Sequence, residues 1–143
     1  MINEDCEKLP EEMTADFHTI VAKTLYVTKR ARPDTCLAVT FLSTRVRAPD
    51  KDDWEKLQHL MEYLRRDHTR PLVLGANNNG LLMWYVDASF AVHPNMCGHT
   101  GGGMTMGNGF PIAVLTKQKL NTRSSTECEL VGVDDMMPII TWT

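Results

Sequence analysis

Hydrophobic positions recur with a helical period up to about residue 70 and change to strand-like runs beyond it. Phe17, Ile20, Val21 and Leu25 fall at i, i+3, i+4 and i+8, one face of an amphipathic helix. Residues 1–16 before this stripe are acidic and polar, and read as a flexible lead-in. Pro33 marks a turn or the first residue of the next helix. From Thr35 to Val46, the residues Cys36, Leu37, Ala38, Val39, Phe41 and Leu42 leave hardly any polar side, so this helix is expected to be buried all round. A third helix opens at Pro49-Asp50, with Asp50 as N-cap and Asp53 three residues on. Its stripe is Trp54, Leu57, Leu60, Met61 and Leu64, and Arg65 and Arg66 suit the negative end of its dipole.

The second half reads differently. Pro71 to Leu74 suggests a short strand, and Gly75 to Gly80 a turn. Leu81, Leu82, Met83, Trp84, Tyr85 and Val86 have buried-strand composition and run into Asp87. Phe90 to Gly98 is a loop, His99 to Met106 a second strand, and Pro111 to Leu115 a third. Gly107-Asn108-Gly109 is a hairpin turn signal between the last two. The pattern predicts an antiparallel three-stranded sheet followed by a helix from about Ser125. Pro138 is expected to kink or end that helix, leaving Trp142 exposed beside an incomplete sheet.

Composition narrows this picture only slightly. At 143 residues, 43% hydrophobic and 23% charged, the chain suits one globular domain or two small ones. A net charge of −3 argues against strong autonomous nucleic-acid binding. No apolar run approaches the roughly 18–20 residues of a membrane span, and the acidic N-terminus resembles neither a signal nor a transit peptide. Cys6, Cys36, Cys97 and Cys128 lack framework spacing and suit reduced thiols inside a cell. His93, Cys97, His99 and Cys128 match no familiar zinc pattern. The glycine-rich stretch Gly98 to Gly109 lacks the Gly-Lys-Ser/Thr of a P-loop, and no local motif makes Cys97 or Cys128 a nucleophile.

Four blocks in the second half carry more information. Tyr85-Val86-Asp87-Ala88-Ser89, Gly98-His99-Thr100-Gly101-Gly102, Thr116-Lys117-Gln118-Lys119 and Ser124-Ser125-Thr126-Glu127-Cys128-Glu129-Leu130 follow in order. In order and spacing they resemble the ribonuclease H region of copia-type retrotransposon polyproteins, and the last block is the specific one. Phe17 to Tyr26, then Thr28 to Asp34, then Trp54 to Leu64 is similar to the segment after the polymerase palm of the same family, with Arg32-Pro33-Asp34 and Tyr63-Leu64 as markers. The resemblance covers roughly residues 17–143. It implies an α+β chain: a helical thumb or connection-like segment at 17–70, then a partial ribonuclease H-like unit of three antiparallel strands and one helix at 71–143.

The same resemblance implies a site. In that family a carboxylate cluster holds two divalent metals about 3.5–4 Å apart, which activate water and stabilise the leaving oxygen, and Mg2+ suits such hard oxygen donors. Asp87 matches the acid on the first strand. Glu129 matches the acid on the helix, with Glu127 as its competitor. If Ser124 is the N-cap, Glu127 becomes the capping-box residue and Glu129 is free; if Thr126 is the N-cap, Glu129 takes that role instead. Lys117, Lys119 and Arg123 are the candidate contacts to a nucleic-acid backbone, which confer affinity without sequence selectivity.

There is a departure from the family. Its third acid would fall beyond Thr143, and Asp134 and Asp135 point away from Glu129 on the same helix. The polymerase aspartates are missing too, since Ala88 breaks any likeness of Tyr85-Val86-Asp87 to their motif. The resemblance therefore implies a fragment of a polyprotein that copies RNA into DNA and degrades the RNA of RNA–DNA hybrids, inactive alone. Its partners would be nucleic acid and the remainder of the polyprotein, with no membrane. Its setting would be a cytoplasmic virus-like particle or the nucleus. The alternatives are a non-catalytic nucleic-acid- or protein-binding remnant, and an unrelated α+β domain.

Overall fold

The computed structural model describes residues 6–77 and 79–143, so the first five positions of the expected lead-in and Asn78 of the expected turn lie outside the described residues. The chain is α+β and divides into two compact units, Met1–Leu72 and Val73–Thr143.

The first unit holds three helices, α1 (Glu11–Arg30), α2 (Cys36–Arg45) and α3 (Lys51–Arg66), with a 3-10 turn at Pro33–Thr35. The lead-in is shorter than its polarity suggests. Lys8 forms a β-bridge with Asp50, and α1 begins at Glu11, where Glu11 and Glu12 complement the positive end of the dipole. Phe17, Val21, Val39, Leu42, Leu57 and Leu60 form the core. The buried face of α1 also includes Thr24 and Thr28. Their hydroxyls are satisfied locally: Thr24 donates to the Ile20 carbonyl at 2.7 Å, and Thr28 bonds Thr35 at 2.7 Å.

Helix α2 departs from its pattern. Only Cys36, Val39 and Leu42 of α2 are buried, while Leu37 is 68% exposed. A three-helix unit surrounds α2 on one side only, so apolar composition does not bury all of it. The α3 cap, by contrast, is the expected one. Asp50 Oδ1 accepts from Asp53 N at 2.9 Å, and Asp53 Oδ2 accepts from Asp50 N at 3.2 Å.

An ionic cluster around the buried Arg32 joins the two markers of this half. Arg32 donates to Asp34 through Nε at 3.0 Å and through a terminal nitrogen at 2.8 Å, and to the Asp67 carbonyl at 2.6 Å. Tyr63 donates to Asp34 at 2.7 Å, and its ring lies 5.2 Å from the Arg32 guanidinium carbon. The Arg32 hydrogen bonds, aided by Tyr63 and opposed by burial, lower the Asp34 carboxyl to about 2.

The second unit is a sheet with one helix. Strands β2 (Met83–Ser89), β3 (His99–Thr105) and β5 (Ile112–Lys117) pair antiparallel in the order β2-β3-β5. A small ladder joins β1 (Gly75–Ala76) to β4 (Gly107–Asn108). The strand expected at Pro71 to Leu74 is therefore absent, and pairing begins at Gly75. Gly107 and Asn108 are consequently ladder residues rather than a simple turn. Gly107 and Gly109 take φ of +148° and +73°, and a Cβ on Gly109 would meet the Val73 carbonyl oxygen at 2.3 Å.

Helix α4 (Ser125–Trp142) packs on the sheet through Cys128, Gly132 and Met136. It continues through Pro138, so the proline does not end it. Pro138 leaves one carbonyl, that of Asp134, without its helical N–H, and only one further turn follows. Trp142 is exposed.

Candidate functional site

The register of the sheet assigns each side chain of the second unit to a face. Ala88 pairs with Thr100, and Val86 with Gly102. A Cβ on Gly132 would lie 3.2 Å from the Ala88 Cβ, and one on Gly102 would meet Met136. Trp84, Val86 and Ala88 therefore face α4. Alternation places Tyr85, Asp87 and Ser89 on the other face, where Gly101 abuts Leu115, and Tyr85 meets Phe110 edge-on at 6.0 Å. No helix covers that face among the described residues of the unit. The run Leu81 to Val86 is accordingly not a doubly buried strand: β2 is an edge strand alternating exposed and half-buried positions.

Asp87 lies on this uncovered face, exposed, its carboxylate making no hydrogen bond or ion pair among the described residues. Glu129 is exposed on α4 and equally unengaged. The local cap accounts for that. Ser124 is the N-cap, its hydroxyl accepting from Glu127 N at 3.2 Å, and the Glu127 carboxylate accepts from Arg123 N at 2.6 Å. Glu127 is thus committed to the helix start, one residue further back than in the standard capping box. At about 100° per residue, Glu129 lies roughly 60° from the Gly132 direction and Glu127 roughly 140°. Of the two glutamates, Glu129 is the one beside the sheet.

No cluster of acids forms around Asp87 or Glu129 among the described residues. Among the described residues, the group of three acidic, histidine or cysteine side chains within metal-binding reach of one another is Asp50, Asp52 and Asp53. Those oxygens are already spent on the α3 cap, on Arg45 and on Lys56. Asp135, a discounted acid of α4, has a different partner: its carboxylate accepts from Thr100 at 2.9 Å.

That contact belongs to a buried polar network which apolar periodicity could not reveal. Gln118 Nε2 donates to the Thr100 hydroxyl at 3.0 Å and to the Cys128 carbonyl at 2.9 Å, and its Oε1 accepts from the Cys128 thiol at 3.2 Å. Gln118, Thr100 and Cys128 are all buried. Every polar atom brought under α4 by these residues has a partner, as low-dielectric burial demands. The only signal in the sequence was Gln118 standing between two lysines, which alternation sends the other way.

The basic candidates sit at the end of this same hairpin. Lys117, on β5, is half-buried opposite His99, whereas Lys119 and Arg123 are exposed. Lys119 and the Arg123 guanidinium make no hydrogen bond or ion pair among the described residues. The loop from Phe90 to Gly98 folds back beside them. His93 Nε2 lies 3.0 Å from His99 Nδ1, and the Cys97 thiol donates to Asn121 Oδ1 at 2.8 Å. Burial lowers the pKa of both histidines, and Lys117 and His99 lower that of His93 further. Cys128 is held by Gln118 instead.

No helix among the described residues is long and apolar enough to cross a membrane. No family model matches the sequence, and no solved structure matches the fold. Over 136 residues, 94% of its length, the chain is 30% identical to a retrovirus-related Pol polyprotein from transposon RE2 of Arabidopsis thaliana. It spans 9% of that polyprotein, and so is similar to one segment of a retrotransposon polyprotein rather than to the whole.

Proposed function

We propose that this chain is a segment of a copia-type retrotransposon polyprotein in which the end of a reverse transcriptase runs into a ribonuclease H. The observation that carries this reading is the 30% identity along 94% of the chain. On this reading the α1–α3 unit is thumb or connection-like, and the unit from Val73 onward is ribonuclease H-like. Asp87 and Glu129 supply two of the carboxylates of a Mg2+ site.

The donor chemistry supports this assignment. Both are exposed carboxylates, unengaged among the described residues, and hard oxygens are what Mg2+ takes. Bound there, divalent metal would activate water and stabilise the leaving oxygen of a phosphodiester. Asp87 lies on the edge strand β2, on the face turned from α4, and Glu129 lies on α4 itself. Lys117, Lys119 and Arg123 would hold the backbone of an RNA–DNA hybrid. Two acids fall short of the cluster that two metals need, so the chain alone is expected not to cleave, and further ligands would come from elsewhere in the polyprotein.

A non-catalytic nucleic-acid-binding role is the second reading. It is favoured by the lack, among the described residues, of a third carboxylate beside Asp87 and Glu129. A chimera separates the two, with this chain replacing the aligned segment of the Arabidopsis polyprotein. Mg2+-dependent cleavage of an RNA–DNA hybrid, lost in Asp87→Asn, supports the nuclease reading. Hybrid binding without Asp87-dependent cleavage supports the other.

A further inference from the structure

Helix α4 is covered on one side only. Cys128, Gly132 and Met136 run along its sheet side and are buried. Leu130, Val133 and Met137, by contrast, are 66%, 45% and 44% exposed. At about 100° per residue, these three fall roughly 100–160° round the helix from Gly132, in a single stripe. We propose that this stripe docks a partner helix whose own apolar stripe is bordered by lysines and arginines.

Spacing sets the shape of the partner. Leu130, Val133 and Met137 stand at i, i+3 and i+7, the spacing at which one helix offers anchors to another. Charge sets its chemistry. Glu129 lies roughly 40° to one side of the stripe and Asp134 roughly 40° to the other, with Glu127 a little beyond Asp134. All three carboxylates are exposed, and α4 contains no Lys, Arg or His. A helix with basic residues along both edges of its seam therefore meets an opposite charge on each side, whereas one with acidic edges meets repulsion.

The same acids disfavour other occupants. Two copies of α4 meeting through this stripe would set carboxylates against carboxylates, with no basic residue on either helix to relieve them. An anionic lipid surface is attracted by basic segments, and a nucleic-acid backbone by lysine and arginine, and the borders of this stripe offer neither. The proposal stands without the nuclease reading. Because Glu129 is also the carboxylate assigned to Mg2+ there, Asp134, on the opposite border, is the charge to reverse.

The test uses two synthetic amphipathic peptides of about three heptads, with leucine along the seam. One carries lysine and arginine along the seam edges and the other glutamate, and each is titrated with the full chain by fluorescence anisotropy. The basic peptide is expected to bind at least about tenfold more tightly than the acidic one, by a margin that shrinks as salt rises. Leu130→Gln and Met137→Gln, at exposed positions, should keep their circular dichroism and each lose about tenfold in affinity. Asp134→Lys should weaken the basic peptide and strengthen the acidic one. Equal binding of the two peptides overturns the proposal, as does binding of neither. Binding that survives both glutamine substitutions overturns it too. So does a chain that sediments as a dimer and becomes monomeric in Leu130→Gln, which would assign the stripe to a second copy.

Discussion

Tyr63 donates its phenolic hydroxyl to Asp34 at 2.7 Å, tying the last turn of α3 to the 3-10 turn before α2. Arg32 grips the same carboxylate and is itself buried. Tyr63→Phe should cost about 1 kcal/mol in urea unfolding, since one hydrogen bond to a charged group is lost. Arg32→Ala should cost about 2–3 kcal/mol, because it also strands Asp34 and the Asp67 carbonyl.

The same carboxylate gives a pH dependence. Its folded-state value of about 2 lies below the ordinary 3.8. The contribution to stability is therefore complete above about pH 4 and is lost as pH falls from there towards 2. Solvent screening of this partly exposed group holds the effect to about 1 kcal/mol. Asp34→Asn should flatten that limb of the stability profile, and unfolding midpoints at pH 5, 4 and 3 would show it.

Helix α3 depends on its first turn. Asp50→Ala removes one half of the capping box and one of the two carboxylates bonded to Arg45. A loss of about 2 kcal/mol is expected, at the upper end for a cap. Asp50→Ser should recover much of it, because serine can still accept from Asp53 N.

In the second unit, Gly98→Ala is expected to be severe. Its Cβ would come within 2.4 Å of Gln118 Oε1 and 2.5 Å of the Cys128 sulfur, both in the buried network. Displacing Gln118 would also take one hydrogen bond each from Thr100 and the Cys128 carbonyl, for a cost of about 2–4 kcal/mol. Gln118→Leu should destabilise by a comparable amount without the steric clash. Comparing the two in denaturant melts separates overpacking from lost hydrogen bonds.

Much of this architecture was legible in the sequence, and the exceptions share causes. The stripes of α1 and α3, the Asp50–Asp53 cap and the three antiparallel strands followed by a helix all follow from periodicity and capping chemistry, whereas the choice between Ser124 and Thr126 as the α4 cap did not. Thr24, Thr28 and Gln118 escaped because apolar patterns do not register polar side chains that are buried with their hydrogen bonds complete. Leu37 and the Leu81 to Val86 run misled in the opposite sense. Composition cannot distinguish a surrounded element from one covered on a single side. The His93–His99 contact depends on how the loop from Phe90 to Gly98 turns back on itself, with Ala91 and Met96 at positive φ, which spacing does not encode.

On the proposed reading, Asp87 is a metal-binding carboxylate of a ribonuclease H assembled from this segment and the rest of a polyprotein. The most direct measurement is Mg2+-dependent cleavage of a labelled RNA–DNA hybrid by the chimeric polyprotein, beside its Asp87→Asn form. Cleavage by the chimera is expected, with a loss on the order of 10^3-fold or more in Asp87→Asn and circular dichroism unchanged. Equal cleavage by the two forms would contradict it.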